Sequence, residues 1–122
     1  MAIEIVEYLD ESDHSPFGAR FDSLQAPAAA KVVVALDRIS RGLLGDVKSL
    51  GGGVSERRID FGPGYRIYFA SIKTGNVTQI VVLLGGGTKK RQSNDVEIAK
   101  KRWKKYKARR QEGENCGTDK EL

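Results

Sequence analysis

The stretch VSERRIDFGPGYRIYFASIKTGNVTQIVVLL, residues 54–84, decides the fold. Val54 to Phe61 alternates apolar and polar residues, and Gly62-Pro63-Gly64 is a turn. Tyr65 to Ile72 alternates again, Lys73 to Asn76 turns, and Val77 to Leu84 completes a third strand. Short turns of this kind join antiparallel neighbours, so the stretch predicts a three-stranded meander. Side chains alternate across a strand, and pairing through residues 62–64 therefore fixes which residues share a face. Ile59, Phe61, Tyr65, Ile67 and Phe69 are expected in the core. Glu56, Arg58, Asp60, Arg66 and Tyr68 are expected on the opposite, open face.

Upstream, Leu43 to Gly53 reads as a glycine-rich loop ending in Gly51-Gly52-Gly53. Before it, Pro27 opens a helix from Ala28 to Arg41 with Val32, Val33, Leu36 and Ile39 as its apolar stripe. An earlier short helix starts at Ser15-Pro16, an N-cap followed by proline, and presents Phe17, Phe21 and Leu24 on one side. Ile3 to Leu9 is a first strand. Downstream, Gly85-Gly86-Gly87 breaks the sheet, and Asn94 with Glu97 resembles a capping box. A helix follows to about Arg110, striped by Val96, Ala99, Trp103 and Tyr106. The order is strand, two helices, three-stranded antiparallel meander, helix. This is an α+β domain over residues 1–110, its sheet with one helix-covered and one open face, followed by a polar tail at 111–122.

The composition excludes several classes. No run reaches the roughly 18 apolar residues of a membrane span, and no basic-then-apolar signal pattern opens the chain. The single cysteine, Cys116, fits a reducing compartment, so the expected location is the cytoplasm. No Cys/His cluster has metal-ligand spacing, and Gly85 to Lys90 lacks the spacing of a phosphate-binding P-loop; no cofactor is expected. Residues 1–45 hold four basic and seven acidic side chains, whereas residues 46–122 hold seventeen and nine. Such asymmetry fits a polyanionic partner met by the C-terminal half, and it equally fits a solvated helix face.

Gly45-Asp46-Val47-Lys48, Gly53 to Ile59, Phe61-Gly62-Pro63-Gly64-Tyr65-Arg66-Ile67-Tyr68-Phe69, and Val82 to Gln92 with Asp95 stand in order at normal spacing. Together they resemble the phage-derived, HigB-like "addiction module killer protein" branch of the RelE/ParE toxin superfamily, over about residues 3–105. The resemblance implies a RelE-like fold and the toxin of a type II toxin–antitoxin system. It further implies a ribosome-dependent endoribonuclease that cuts messenger RNA and inhibits translation. The implied partners are messenger RNA, the ribosome and a cognate antitoxin, usually a helix-turn-helix protein, with no membrane. Arg66 matches the arginine of the family's Gly-Tyr-Arg, Arg58 a basic position on the preceding strand, and Lys89 the lysine after the glycines. Gln92 and Asp95 match the Gln and Asp that follow. Thr88 stands where relatives commonly have Asp, and Arg57 where they commonly have an apolar residue. The C-terminal catalytic tyrosine of the RelE branch has no equivalent near residue 95.

Attack of RNA's own 2′-hydroxyl requires a base, stabilisation of the phosphorane and an acid for the leaving oxygen. Arginine serves as a phosphate clamp rather than a base, which assigns Arg58 and Arg66. Glu56, Lys89 and Tyr68 remain open as acid–base groups, with Glu56 also a salt-bridge partner for Arg58 and Tyr68 also a stacking or packing residue. Lys48, Lys90, Arg91, Gln92 and Asp95 complete the expected RNA contacts. His14 lies in the first loop, away from this surface. Two other readings stay open: a ParE-like toxin that poisons DNA gyrase, and a non-enzymatic module binding nucleic acid or protein.

Overall fold

A computed structural model of the chain describes residues 2–75 and 78–121, with side chains from position 3 to 111. Asn76 of the second expected turn, Val77 at the start of the third expected strand, Leu122 and the side chain of Cys116 lie outside the described residues. The elements are β1 (Ala2–Glu7), α1 (Pro16–Asp22), α2 (Ala26–Ser40), β2 (Val47–Gly51), β3 (Val54–Ile59), β4 (Tyr65–Thr74), β5 (Thr78–Thr88), a 3-10 turn (Lys89–Arg91) and α3 (Gln92–Glu121). They form an α+β domain around one mixed five-stranded sheet in the order β1-β5-β4-β3-β2.

The meander appears as expected. β3 pairs antiparallel with β4 around Gly62-Pro63-Gly64, and β4 pairs antiparallel with β5. β1 joins the far side of β5 in parallel. The segment expected to be a glycine-rich loop, Leu43–Gly53, instead contributes β2, with Val47 opposite Arg57 and Lys48 opposite Glu56. The three glycines make its tight reversal into β3. Gly53 (φ +84) is required twice, for its left-handed backbone and because a Cβ there would lie 2.8 Å from Trp103 Nε1.

Among the described residues, helices pack on both faces of the sheet. On one side Ile59, Ile67, Phe69, Val81 and Leu83 pack with Phe17 of α1 and Val32, Ala35 and Ile39 of α2. On the other, Val54, Tyr68, Ala70, Val82 and Leu84 pack with Ala99 and Trp103 of α3. The long C-terminal helix buries its stripe against the face expected to be solvent-exposed, because that stripe has no other apolar surface to cover. Glu56 and Tyr68 are consequently buried, at 0% and 1% exposure.

Helix details differ modestly from expectation. Ser15 caps α1, its side chain accepting from Gly18 N–H at 2.9 Å. In α2 the buried positions are Ala28, Val32, Ala35 and Ile39, while Val33 is exposed. α3 starts at Gln92 rather than behind an Asn94 cap, since the 3-10 turn runs straight into it and Gln92 is already helical (φ −52, ψ −49). It continues to Glu121, beyond the expected end near Arg110.

Candidate functional site

Register places Arg58 of β3 directly opposite Arg66 of β4, with Gly87 of β5 next in that row. The neighbouring row is Lys48, Glu56, Tyr68 and Gly85 across β2 to β5. All the polar members point to the α3 side, as the alternation predicts. The helix divides them. α3 covers the Glu56–Tyr68 row and leaves the end of the sheet beside Arg58 accessible. There Arg58, Arg66 and Lys89 line a groove of about 360 Å³ together with Asp46 and Asp60.

Each groove cation is held differently. Arg58 Nη2 donates to Asp46 Oδ1 at 2.8 Å on the surface. That hydrogen bond raises the guanidinium's pKa and lowers that of the Asp46 carboxyl. Arg66 is far more enclosed, with 10% of its side chain exposed, and its Nε lies 3.3 Å from Glu56 Oε2. The contact is an ion pair without hydrogen-bond alignment, because Nε has no aligned acceptor. Gln92 Nε2, at the first position of α3, donates to both Glu56 oxygens at 3.3 and 3.2 Å. Glu56 therefore ties together Arg66 and the start of α3. Its carboxylate is fully buried and lies against both partners, so it does not face the groove as the open-face reading expected. Lys89, Lys90 and Arg91 form the exposed 3-10 turn beside the groove, and Lys48 is exposed on β2.

Tyr68 cannot stack on a base in this arrangement. Its ring packs with Trp103 and Val54, and its hydroxyl is buried with no hydrogen-bond partner. Burial, reinforced by the charges of Asp95 and Glu56, pushes its pKa up to about 12. The folded chain thus retains a proton that the unfolded chain releases between about pH 10 and 12, so stability must fall as pH rises through that window. Absorbance titration of the phenolates is expected to show one late, Tyr68→Phe-sensitive transition near pH 12. Titration of all tyrosines together near their ordinary value would contradict the buried placement.

A second cleft, again about 360 Å³, lies between α1 and α3 above Gly85 and Gly86. Arg20, Arg91, Arg102, Asp95 and Tyr68 line it. Burial raises the Asp95 pKa against the pull of Arg91, Arg20 and Arg102. The glycines, read as sheet breakers, are part of β5 and bare the floor for close approach: a Cβ on Gly85 would lie 2.7 Å from Arg102 Nη1, and one on Gly87 would overlap the Asp95 carboxylate. Asp95 thus sits in this cleft rather than in the Arg58–Arg66 groove. Sequence reasoning missed Arg20 and Arg102. Nothing in the sequence separates a lone arginine in a seven-residue helix, or one in a lysine-rich helix, from surface charge. No group of His, Cys, Asp and Glu suited to a metal ion occurs among the described residues.

Fold and grooves define a small α+β domain whose helix-flanked mixed sheet presents arginines at one end. A Haemophilus influenzae protein, itself described only as uncharacterized, is 42% identical over 73 residues, covering 60% of this chain and 70% of that protein. The chain belongs to the same family as that protein. No family model matches the chain, and no solved structure does.

Proposed function

We propose that the chain is the toxin of a type II toxin–antitoxin pair, a RelE-like, HigB-like endoribonuclease that cuts messenger RNA on the ribosome. The observation that carries this reading is the direct cross-strand pairing of Arg58 and Arg66 at one groove with Lys89, joined to the sequence resemblance over residues 3–105. In this reading Arg66, steadied by Glu56, clamps the non-bridging oxygens of the scissile phosphate and stabilises the charge of the phosphorane. Arg58 exchanges its Asp46 partner for phosphate, and Lys89 protonates the departing 5′-oxygen. With Glu56 and Tyr68 buried, the groove lacks a strong base for the 2′-hydroxyl. Free RNA should therefore be cut poorly, and on the ribosome the 2′-hydroxyl proton passes to a ribosomal or solvent acceptor aligned with it.

Among the described residues no helix is long and apolar enough to cross a membrane, which is compatible with action in the cytoplasm. The antitoxin, a helix-turn-helix protein, neutralises by laying acidic side chains over the groove. Induction of the chain in cells tests the reading. Rapid translation arrest with transcripts cut at ribosome-bound positions is expected, and normal growth with intact transcripts would remove it. Burial of Glu56 and Tyr68 favours one competitor, the ParE-like poisoning of gyrase, whose signature would be DNA-damage signalling with intact transcripts.

A further inference from the structure

The cleft between α1 and α3 is not used by the chemistry above, yet its contents demand a ligand. Its floor is bare backbone at Gly85 and Gly86, and its rim draws Arg20 from α1, Arg91 from the 3-10 turn and Arg102 from α3. Among the described residues neither Arg20 nor Arg91 makes an ion pair, and Arg20 Nε is buried without a hydrogen-bond acceptor. Arg102 spends Nη1 on Leu84 O at 2.8 Å and keeps its other N–H groups. Tyr68, a residue 1% exposed whose hydroxyl has no hydrogen-bond partner, also lines the cleft. Buried donors in folded proteins are nearly always satisfied. Here two buried unsatisfied donors, Arg20 Nε of α1 and the Tyr68 hydroxyl of β4, belong to residues that share one cavity with Arg91 and Arg102, and its volume falls in the lower part of the roughly 300–1,000 Å³ range of small-ligand sites.

We infer that this cleft is a second phosphate-binding site, seating a backbone phosphate of single-stranded RNA whose scissile phosphate lies at Arg66. A carboxylate ligand has two oxygens in one plane and is satisfied by a single guanidinium fork. Three guanidinium groups and a hydroxyl arriving from different elements match an anion whose oxygens point several ways, as those of phosphate do. Asp95 opposes this as the one carboxylate lining the cleft, and three arginines outnumber it. Arg91 lies on the turn that follows Lys89, so the strand passes from groove to cleft over Lys89–Arg91.

The inference rests on the RNA reading only for the source of the phosphate. Nuclear magnetic resonance of the 15N-labelled full chain tests both parts separately, following the Gly85 and Gly86 amides, the Arg20 and Arg102 Nε–H signals and, for the groove, Arg58. The probes are inorganic phosphate and an uncleavable 2′-O-methyl RNA hexamer, at constant ionic strength. Shifts of the cleft signals with both probes are expected. Arg91→Gln and Tyr68→Phe are each expected to weaken phosphate binding about tenfold, and Asp95→Asn to strengthen it several-fold. Cleft shifts with phosphate alone would support the site, assign it to free phosphate and count against RNA. Shifts confined to the Arg58 signals with either probe would overturn the cleft site while leaving the RNA reading intact. No cleft shift with either probe overturns it outright.

Discussion

Arg66→Lys is expected to leave the chain folded and to reduce messenger-RNA cleavage on the ribosome about 100- to 1,000-fold, the usual effect of removing one preorganised donor from a charged transition state. Lysine keeps a positive charge beside Glu56, so the buried carboxylate retains its counter-charge and its two hydrogen bonds from Gln92. It loses the planar fork that holds a phosphate through two parallel N–H groups. Activity and stability therefore separate in this variant. Cleavage is read by mapping transcript ends after induction, and folding by urea denaturation of the purified chain.

Arg66→Ala is the less informative change. It strands Glu56, at 0% exposure, with a charge and no cation, a kind of defect that costs about 3–5 kcal/mol. Gln92 still donates to the carboxylate, which places the expected loss toward the lower end. Replacing both partners, as in Arg66→Met with Glu56→Leu, removes the buried charges together and should recover most of that stability while remaining inactive. Full cleavage by a folded Arg66→Lys chain would end the clamp assignment.

The meander was legible in the sequence because its turns are written in glycine and proline and its register follows from turn length. The same alternation correctly put Arg58 and Arg66 on one face. What alternation concealed was the covering of that face. Ile67-Tyr68-Phe69-Ala70 and Val81-Val82-Leu83-Leu84 are unbroken apolar runs, and all eight residues are buried. Runs of this kind belong to strands enclosed on both sides. Read that way, they announce that the apolar stripe of the C-terminal helix must lie over Tyr68. Glu56 was harder, since a carboxylate inside a strand reads as solvent-facing until its partner Gln92 is placed above it. The α1–α3 cleft was out of reach, because Arg20 and Arg102 stand 82 positions apart and meet only through the packing of two helices against β5.

Trp103→Ala is expected to destabilise the chain by about 3–5 kcal/mol, the range for deleting a buried aromatic side chain. That is a large share of the roughly 5–15 kcal/mol available to a domain. The indole is 5% exposed, stacks on Tyr106 with centroids 5.8 Å apart, and packs with Val54, Tyr68 and Leu84. It is the largest apolar contribution of α3 to the sheet, and the rest of that helix is mostly Lys, Arg and other polar residues. A polar helix gains little from its own propensity and depends on docking. Hydrogen exchange at α3 amides should therefore rise far more than at β4 and β5. Gly53 provides an internal control. Gly53→Ala suffers from its positive φ and from contact with Trp103 Nε1; in the Trp103→Ala background only the backbone strain, about 1–3 kcal/mol, remains. The two changes should thus cost less together than the sum of each alone. Additive losses would mean that the indole does not sit over the β2–β3 reversal. The same undocking lifts Gln92 from Glu56 and loosens Arg66, so Trp103→Ala should also lower cleavage, at a residue too deeply buried to touch RNA.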